Sequence, residues 1–260
     1  MCADHIEIVP LDSWDTLIQH LRTSSYDVAD YFYRGQGDPN WALVPTLQRK
    51  LTYPIRAREL YTARMYDYLR AFRDHAHGLV GFPDGLTTLD PLLTLGRHHG
   101  LVTPLLDWTR SPYIAAFFAL AEDVARNANM PLHGEFDPSL ARARGGTATV
   151  AIWRYQIRGD GSVGNELRIY TEVGFPNARQ KAQSSVYMHL DTHEYQSVDG
   201  LLIARDRAAD LQKWVIDVPD VHDAIADLAL MNIHIGTMFP DLSHAAQHAN
   251  NRMTYPELFF

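Results

Sequence analysis

The sequence predicts an α+β fold. Helical periodicity dominates its first half, β-branched and aromatic runs dominate its second half, and no repeat or linker divides the chain. The 260 residues are 46% hydrophobic and 21% charged, as in globular proteins that bury a sizeable core. We therefore expect one domain over residues 1–260, with helices mainly over 10–125, strands mainly over 147–220 and C-terminal helices over 221–260.

The first half alternates helices with short strand signals. Apolar residues that recur every three or four positions predict helices, whereas alternating or aromatic-rich runs predict strands. Ser13 precedes the first helix as a cap. The predicted elements are, in order, a strand Ile6–Pro10, a helix Trp14–Arg22, a strand from Tyr31 that ends at Arg34 and Gly35, a long amphipathic helix Arg56–His75 and a helix Pro91–Gly96.

The second half carries most of the strand signals. Thr147–Ile157 is rich enough in β-branched and aromatic residues to be a central strand. The elements predicted after it are strands at Leu167–Val173, Ala182–His189 and Trp214–Val218, a helix Val221–Met231 and a last helix that Asp241 or Ser243 caps.

Charge and cysteine content exclude several classes of protein. The net charge of −8 argues against binding nucleic acid through the whole surface, although a local basic groove is compatible with it. The single cysteine, Cys2, excludes a disulfide framework and fits a reducing compartment. No apolar run reaches the roughly 18 residues of a membrane span, and the N-terminus lacks the layout of a signal peptide. We expect a cytoplasmic protein with no membrane partner.

The stretch Leu95–Leu120 places polar residues directly before an apolar helix. Ser111 before Pro112 predicts the helix start, with serine as the N-cap and proline at the first helical position. Because Tyr113–Leu120 is apolar on nearly every side, this helix must be buried, and the polar residues before it are held against the core. These residues either satisfy one another and the helix start or bind a ligand. They are His98, Asp107, Thr109 and Ser111.

Arg34 and Gly35 form a second candidate site. An arginine at a strand end, followed by a glycine that lets a ligand approach the backbone, predicts an anion site. The alternative is an arginine that forms a salt bridge within the fold.

Two other kinds of site use some of the same residues. Ser111, His98 and Asp107 are the nucleophile, base and orienting carboxylate of a hydrolase in one interpretation, although Ser111 lacks the G-x-S-x-G turn. The adjacent histidines His98 and His99 suggest a metal site, but neighbours on a helix point about 100° apart and no H-E-x-x-H spacing occurs. We therefore predict no metal.

A set of short motifs occurs in order along most of the chain. They are Tyr33-Arg34-Gly35, Trp41-x-Leu-x-Pro45-x-Leu-x-Arg49, His98-x-Gly100 through Asp107-Trp-Thr109, Arg179-x-x-x-Gln183 and Phe239-Pro-Asp-Leu. Each motif is weak, but the ordered set is specific and resembles the FRG domain family, which is named for an aromatic-Arg-Gly motif. Two positions depart from the family pattern: Pro104 stands where many members have arginine, and Ser184 follows Gln183 where glycine is common.

This resemblance implies a layout similar to ADP-ribosyltransferases, with a split mixed or antiparallel β-sheet core. Those enzymes place an Arg or His on an early strand, a Ser-Thr-Ser-like strand end before an apolar helix, and a carboxylate at the start of a late strand. The corresponding residues are Arg34-Gly35, Thr109-x-Ser111 and Gln183. Because glutamine is not a carboxylate, Glu166 and Glu172 are alternatives for the third role.

The resemblance also implies residues that hold NAD while its bond to nicotinamide breaks. The implied catalytic residues are Arg34, which binds the diphosphate or adenosine ribose; Thr109 and Ser111, which bind the nicotinamide ribose; Asp107, which orients His98 or supplies a negative field; and Gln183, which accepts from a ribose hydroxyl. The implied NAD-binding residues are Tyr33, Arg34, Gly35, Gln36, Arg49, His98, Thr109 and Arg179.

The implied function is an NAD-dependent ADP-ribosyltransferase, the toxin of a toxin–antitoxin or phage-defence system. Its partners are NAD as co-substrate, an acceptor that is RNA, DNA or protein, and an antitoxin protein. The alternative is a non-catalytic module that senses a nucleotide or binds a protein, with Gln183 marking lost activity. A nucleic-acid acceptor would be favoured by a basic face. The arginines available for such a face are Arg49, Arg56, Arg58, Arg64, Arg70 and Arg73.

Overall fold

A seven-stranded mixed β-sheet organises the described residues of the computed structural model. The structure describes residues 5–23, 30–51, 57–79, 88–127, 146–171 and 178–240, together with 55, 82, 86 and 249. The strands are β1 (Glu7–Leu11), β2 (Tyr31–Gln36), β3 (Leu105–Thr109), β4 (Ala148–Gln156), β5 (Leu167–Tyr170), β6 (Ser185–Leu190) and β7 (Leu211–Val218). The helices are α1 (Trp14–Thr23), α2 (Thr46–Lys50), α3 (Arg58–Ala76), α4 (Leu89–His98), α5 (Pro112–Asn127), α6 (Ala178–Ala182), α7 (Val198–Ala204), α8 (Val221–Leu230) and α9 (Ile235–Met238).

The strand pairing divides the sheet into two halves. The order is β1-β7-β4-β2-β3-β6-β5, in which β1 is parallel to β7 and the other neighbours are antiparallel. β2 pairs with β4 along its whole length, and β3 does so with β6. Between the halves, β2 and β3 share only the pair of Tyr33 with Thr109. The sheet is therefore nearly split between these two strands.

Apolar layers cover both faces of the sheet because successive side chains of a strand point to opposite faces. On one face, α1, α5 and α8 pack against Tyr33 and Trp214, both fully buried. On the other face, α7 packs against a cluster that includes Phe32 and Trp153. A smaller cluster joins α3 and α4 to Leu105 at the start of β3. This third layer fixes the end of α4 beside the split.

Helix α5 packs closest to the sheet. The prediction that this apolar helix is buried is confirmed, since its residues from Ile114 to Leu120 are buried apart from the partly buried Phe118. The helix passes so near to β2 that a Cβ atom added to Gly35 would lie 1.9 Å from the carbonyl oxygen of Ala115 and 2.7 Å from the backbone nitrogen of Ala119. Glycine is thus required here by helix–strand packing.

The first half of the chain is less helical than predicted. Strands β2 and β3 both lie within residues 10–125 and occupy the middle of the sheet. The stretch at Leu105 and Leu106 is predicted only as a brief apolar run, but it is the start of β3. A strand of five residues depends on its partners in the sheet, and local pattern does not reveal those partners.

Two further differences lie in the second half. Helix α6 occupies Ala178–Ala182, so Gln183 lies in the turn before β6 and not on the strand predicted to begin at Ala182. Helix α7 (Val198–Ala204) was not predicted from the sequence. A glycine at its third position, Gly200, weakens the helical signal there.

Several predictions concern residues outside the described ranges. They are Glu172, the end of the predicted strand at Val173, the caps Asp241 and Ser243, and Arg56. Among the residues that are described, no helix is long and apolar enough to cross a lipid bilayer.

Candidate functional site

A cleft of about 550 Å³ opens where β2 and β3 separate. Its volume lies in the range of sites that bind small molecules. Arg34, Thr109 and Gln183, which the resemblance assigns to the three elements of one site, all line this cleft. Residues of α2, α4, α5, α6 and α9 also line it.

The side chain of Arg34 reaches across the split in the sheet. Its Nη1 donates a hydrogen bond of 2.6 Å to the backbone carbonyl oxygen of Asp107. Its Nε is buried and has no hydrogen-bond partner among the described residues. Burial lowers the pKa of the Arg34 guanidinium, and the charges of Asp107 and Glu122 oppose that shift. Because arginine stays protonated in proteins, the cleft holds a partly enclosed cation with an unused donor.

Both carboxylate oxygens of Asp107 accept hydrogen bonds from Arg97. The distances are 2.5 Å from Nη2 to Oδ2 and 3.4 Å from Nε to Oδ1, and Nη1 of Arg97 donates to Thr46 Oγ1 at 3.1 Å. Burial acts to raise the pKa of the Asp107 carboxyl, but the charge and hydrogen bonds of Arg97 outweigh it and hold that pKa below its ordinary value. The resemblance implies that Asp107 orients His98 or supplies a negative field, and the structure pairs its carboxylate with Arg97.

This ion pair predicts a pH-dependent contribution to stability. The folded-state pKa of Asp107 lies below its ordinary 3.8, so the contribution is present above that pH and is lost as the pH falls through the folded value. We expect Asp107→Asn to lower the free energy of unfolding by about 1 kcal/mol at pH 7, a modest value because the carboxylate is half-exposed. Urea unfolding should show the difference from wild type narrowing below pH 3.8; a constant difference would contradict the assignment.

Thr109 and Ser111 connect the cleft to the start of α5. Thr109 Oγ1 donates to the backbone carbonyl oxygen of Gln183 at 2.7 Å and accepts from the backbone N–H of Ser111 at 3.2 Å. Ser111 Oγ accepts from the N–H of Ile114 at 3.3 Å, which confirms its predicted role as N-cap. Ser111 is not among the cleft-lining residues, so the structure does not bring it to the proposed ribose site.

The amide of Gln183 is oriented by the backbone. Its Nε2 donates to the carbonyl oxygen of Met238 at 2.9 Å, and among the described residues Oε1 accepts no hydrogen bond. An ionised glutamate cannot donate to a carbonyl, so Met238 explains why an amide occupies this position. The next residue, Ser184, has a φ of 47°, in the left-handed region where glycine is favoured. Ser184, at a position where glycine is common in the family that the motifs resemble, therefore adopts a strained backbone conformation.

Three residues of the predicted NAD-binding set serve the fold. Gln36 is buried, with Nε2 donating to Ala42 O at 3.2 Å and Oε1 accepting from Trp153 Nε1 at 2.6 Å. It does not line the cleft. Tyr33 lines it, but its side chain is fully buried and lies 5.8 Å from the Trp214 ring. Gly35 also lines the cleft, and α5 fills the space beside its Cα.

The remaining predicted residues lie around the cleft. Arg49 is exposed at the end of α2, and its Nη2 donates to Thr46 Oγ1 at 3.2 Å. Arg179 lies over the ring of Phe239 at 4.4 Å, and Phe239 meets Phe118 edge-on at 6.1 Å. His98 also lines the cleft, and its ring centroid lies 5.0 Å from that of His99. The cleft therefore combines guanidinium groups with an aromatic patch.

Sequence reasoning missed two charged residues of the cleft, Arg97 and Glu122. Oε2 of Glu122 accepts a hydrogen bond of 3.0 Å from the backbone N–H of Gly37. A signal for Glu122 was available, because it follows Ala115 and Ala119 at helical spacing and so shares the face that packs on β2. The sequence pattern pointed to His98 and His99, which follow Arg97 directly, and not to Arg97 itself.

Glu166 and the hydrolase interpretation fit the structure poorly. Glu166 forms a two-pronged salt bridge with Arg205, at 2.8 and 2.9 Å, and does not line the cleft. Glu172 lies outside the described residues. In the hydrolase interpretation, Ser111 is occupied as a cap and Asp107 is bound by Arg97.

Within the described part of the chain, a group of possible metal ligands lies at the start of α8. It comprises Asp220, His222 and Asp223. Asp220 already accepts from the backbone N–H groups of the other two residues as the N-cap of the helix. The group does not line the cleft, and the predicted absence of a metal stays a prediction.

One family model matches the sequence. It describes the FRG domain and matches residues 29–128, which include β2, the end of α4, β3 and α5 with Arg34, Arg97, Asp107 and Glu122. No curated protein and no solved structure matches the chain. The prediction that a single domain spans residues 1–260 goes beyond this match and stays a prediction. Residues 29–128 of the chain match the FRG domain, and this segment supplies both edges of the split, the helix behind it and most of the residues that line the cleft.

Proposed function

We propose that the protein is an NAD-dependent ADP-ribosyltransferase that modifies a macromolecular acceptor. The observation that carries the proposal is the charge of the cleft. The described residues that line it supply four guanidinium groups and two carboxylates, which leaves two excess positive charges in a chain of net charge −8. A concave site of that sign in an acidic protein favours an anionic ligand. The four arginines are Arg34, Arg49, Arg97 and Arg179.

The rest of the cleft is compatible with a dinucleotide. A diphosphate is recognised by planar guanidinium groups that donate two hydrogen bonds at once, and Arg34 has a buried donor without a partner in the described residues. The aromatic patch of Phe118 and Phe239 offers surfaces on which a base can stack. NAD carries one diphosphate and two rings, and so matches both halves of the site.

The proposed reaction needs little covalent chemistry from the protein. When the bond from ribose C1′ to the nicotinamide nitrogen breaks, positive charge develops on the ribose and nicotinamide leaves as a neutral molecule. Arg34 binds the diphosphate, and Gln183 Oε1 accepts from a ribose hydroxyl while its Nε2 stays on Met238. Thr109 keeps Gln183 in place through the carbonyl bond of 2.7 Å. Positioning of this kind supplies a large part of the barrier reduction in such reactions.

An ADP-ribosyltransferase-like layout is supported by the split between β2 and β3 and by the order of the three converging segments. The resemblance to FRG domains further suggests a toxin of a toxin–antitoxin or phage-defence system, with an antitoxin protein as its partner. A nucleic-acid acceptor gains little from α3, because Arg58 pairs with Asp191 while Arg70 and Arg73 pair with Asp74. The acceptor class is therefore left to experiment.

The test is incubation of the purified protein with NAD labelled in the adenosine and a cell lysate. We expect label in one macromolecular fraction, which nuclease and protease digestion assigns to RNA, DNA or protein, with release of one nicotinamide for each transfer. Absence of both label and nicotinamide release would refute the activity.

A non-catalytic nucleotide-binding module is the second candidate. The observation that favours it is the amide of Gln183, fixed by Met238 where related layouts place a carboxylate. Calorimetry distinguishes the two candidates. NAD binding without nicotinamide release selects the binding module, whereas binding with release selects the transferase.

A further inference from the structure

A base assists transfer to a hydroxyl, amine or amide acceptor, and the carboxylates among the described cleft residues are Asp107 and Glu122, in addition to the imidazole of His98. The two differ in how strongly they are engaged. Asp107 accepts from Arg97 through both oxygens, and its pKa is held below the ordinary value by that cation. A carboxylate that is paired and stabilised in this way is a weak base. Asp107 is therefore suited to holding Arg97 and not to taking a proton.

Glu122 is engaged by a single neutral donor. Its Oε2 accepts from the backbone N–H of Gly37 at 3.0 Å, and the described contacts leave Oε1 free to accept from a ligand. The side chain is half-buried in the cleft wall, and its negative charge acts on the guanidinium of Arg34. Glu122 thus lines the same cleft as Arg34, the residue expected to hold the diphosphate.

The position of Glu122 is fixed by the contact between α5 and β2. A Cβ atom added to Gly37 would lie 2.5 Å from the backbone nitrogen of Asp123, so this second glycine lets the helix backbone meet the strand end. Gly35 makes the corresponding approach at Ala115 and Ala119. Two close backbone contacts on one helix hold the carboxylate of Glu122 in register with the cleft, as a positioned base requires.

We propose that Glu122 is the carboxylate that takes the proton of the acceptor, an inference that rests on the transferase function proposed above. The acceptor atom forms a bond to ribose C1′ as the bond from C1′ to nicotinamide breaks. The electron pair of the broken bond goes to the nicotinamide nitrogen, which becomes neutral. The proton of the acceptor moves to Oε1 of Glu122 and is later released to water. The base thus belongs to α5, and Gln183 serves to position the ribose.

The test is Glu122→Gln in the full chain. The glutamine oxygen can still accept from the N–H of Gly37, so we expect an unchanged melting temperature and an affinity for NAD within about threefold of wild type. The kcat for transfer should fall by about 100-fold or more. Glu166→Gln is the matched control, since Glu166 pairs with Arg205 outside the cleft, and it should retain wild-type kcat.

A second variant keeps the test decisive if Glu122→Gln unfolds. Glu122→Ala removes the carboxylate, and added formate should restore part of the transfer rate, which a merely structural role would not permit. A wild-type protein that binds or cleaves no NAD removes the proposed function and this inference with it. A wild-type protein that transfers label, together with a Glu122→Gln variant whose kcat lies within threefold of it, overturns the role of Glu122 alone.

Discussion

Arg34→Ala is expected to weaken the binding of NAD by about 100-fold and to abolish transfer at micromolar NAD. The guanidinium is held at the split by Asp107 O, and its buried Nε has no partner in the described residues. Two charge-assisted hydrogen bonds to a phosphate contribute about 3 kcal/mol together, and 1.4 kcal/mol corresponds to a factor of ten in affinity. Isothermal calorimetry with NAD measures the affinity, and label transfer measures the activity.

Arg34→Lys separates charge from geometry. A lysine keeps the charge but lacks the planar fork, so we expect a loss of about tenfold in affinity. Arg154→Ala is the control, because Arg154 is a partly buried arginine of β4 that lies 3.7 Å over the Tyr31 ring and does not line the cleft. That variant should bind NAD as wild type does. Wild-type affinity in Arg34→Ala, with melting temperatures matched, would show that the anion site lies elsewhere.

The grouping of the cleft residues was implied by the resemblance, and local signals predicted two of the elements that carry them. Tyr31–Tyr33 is aromatic enough to require a strand, and Ser111 before a proline fixes the start of a helix that is apolar all round. An apolar helix must lie against the sheet, which brings the residue before it next to a strand end. The positions of Arg34 and Thr109 follow from these rules and from the motif order.

The partners of the polar side chains could not be predicted in the same way. Arg97 and His98 are neighbours in sequence, but a helix turns by about 100° per residue, and only the packing of α4 decides which of them meets Asp107. The role of Gln183 likewise depends on Met238, 55 residues away. Such contacts arise from tertiary packing, for which spacing along the chain carries no signal.

The purpose of Gly35 is a further case in which pattern and packing differ. The sequence suggests a glycine that admits a ligand, because Arg-Gly at a strand end is typical of anion sites. The structure gives a second requirement that is stronger, since backbone atoms of α5 occupy the place of a Cβ. The glycine of an Arg-Gly motif can therefore be required by the helix behind the site. The two explanations make different predictions for the stability of a Gly35→Ala variant.

Gly35→Ala is expected to lower the free energy of unfolding by about 3 kcal/mol or more and the melting temperature by about 10 °C. The added Cβ would lie 1.9 Å from the carbonyl oxygen of Ala115, and its three nearest neighbours are all backbone atoms of α5. A side chain could rotate away, but a helix can yield only by moving as a whole. Gly35 pairs with Ile152 of β4, so a shift of the strand would disturb the sheet. The cost therefore falls on the packing between α5 and the sheet.

Gly96→Ala in α4 is the matched control for this change. Its added Cβ would meet only the side chain of Leu101, beginning with Cδ2 at 2.5 Å, and alanine is the better helix former by about 1 kcal/mol. The flexible leucine can rotate, so we expect a change within about 1 kcal/mol. Urea unfolding monitored by tryptophan fluorescence compares the two variants. Equal stability of Gly35→Ala and Gly96→Ala would show that α5 does not press on β2. It would also remove the argument that this contact positions Glu122 in the cleft.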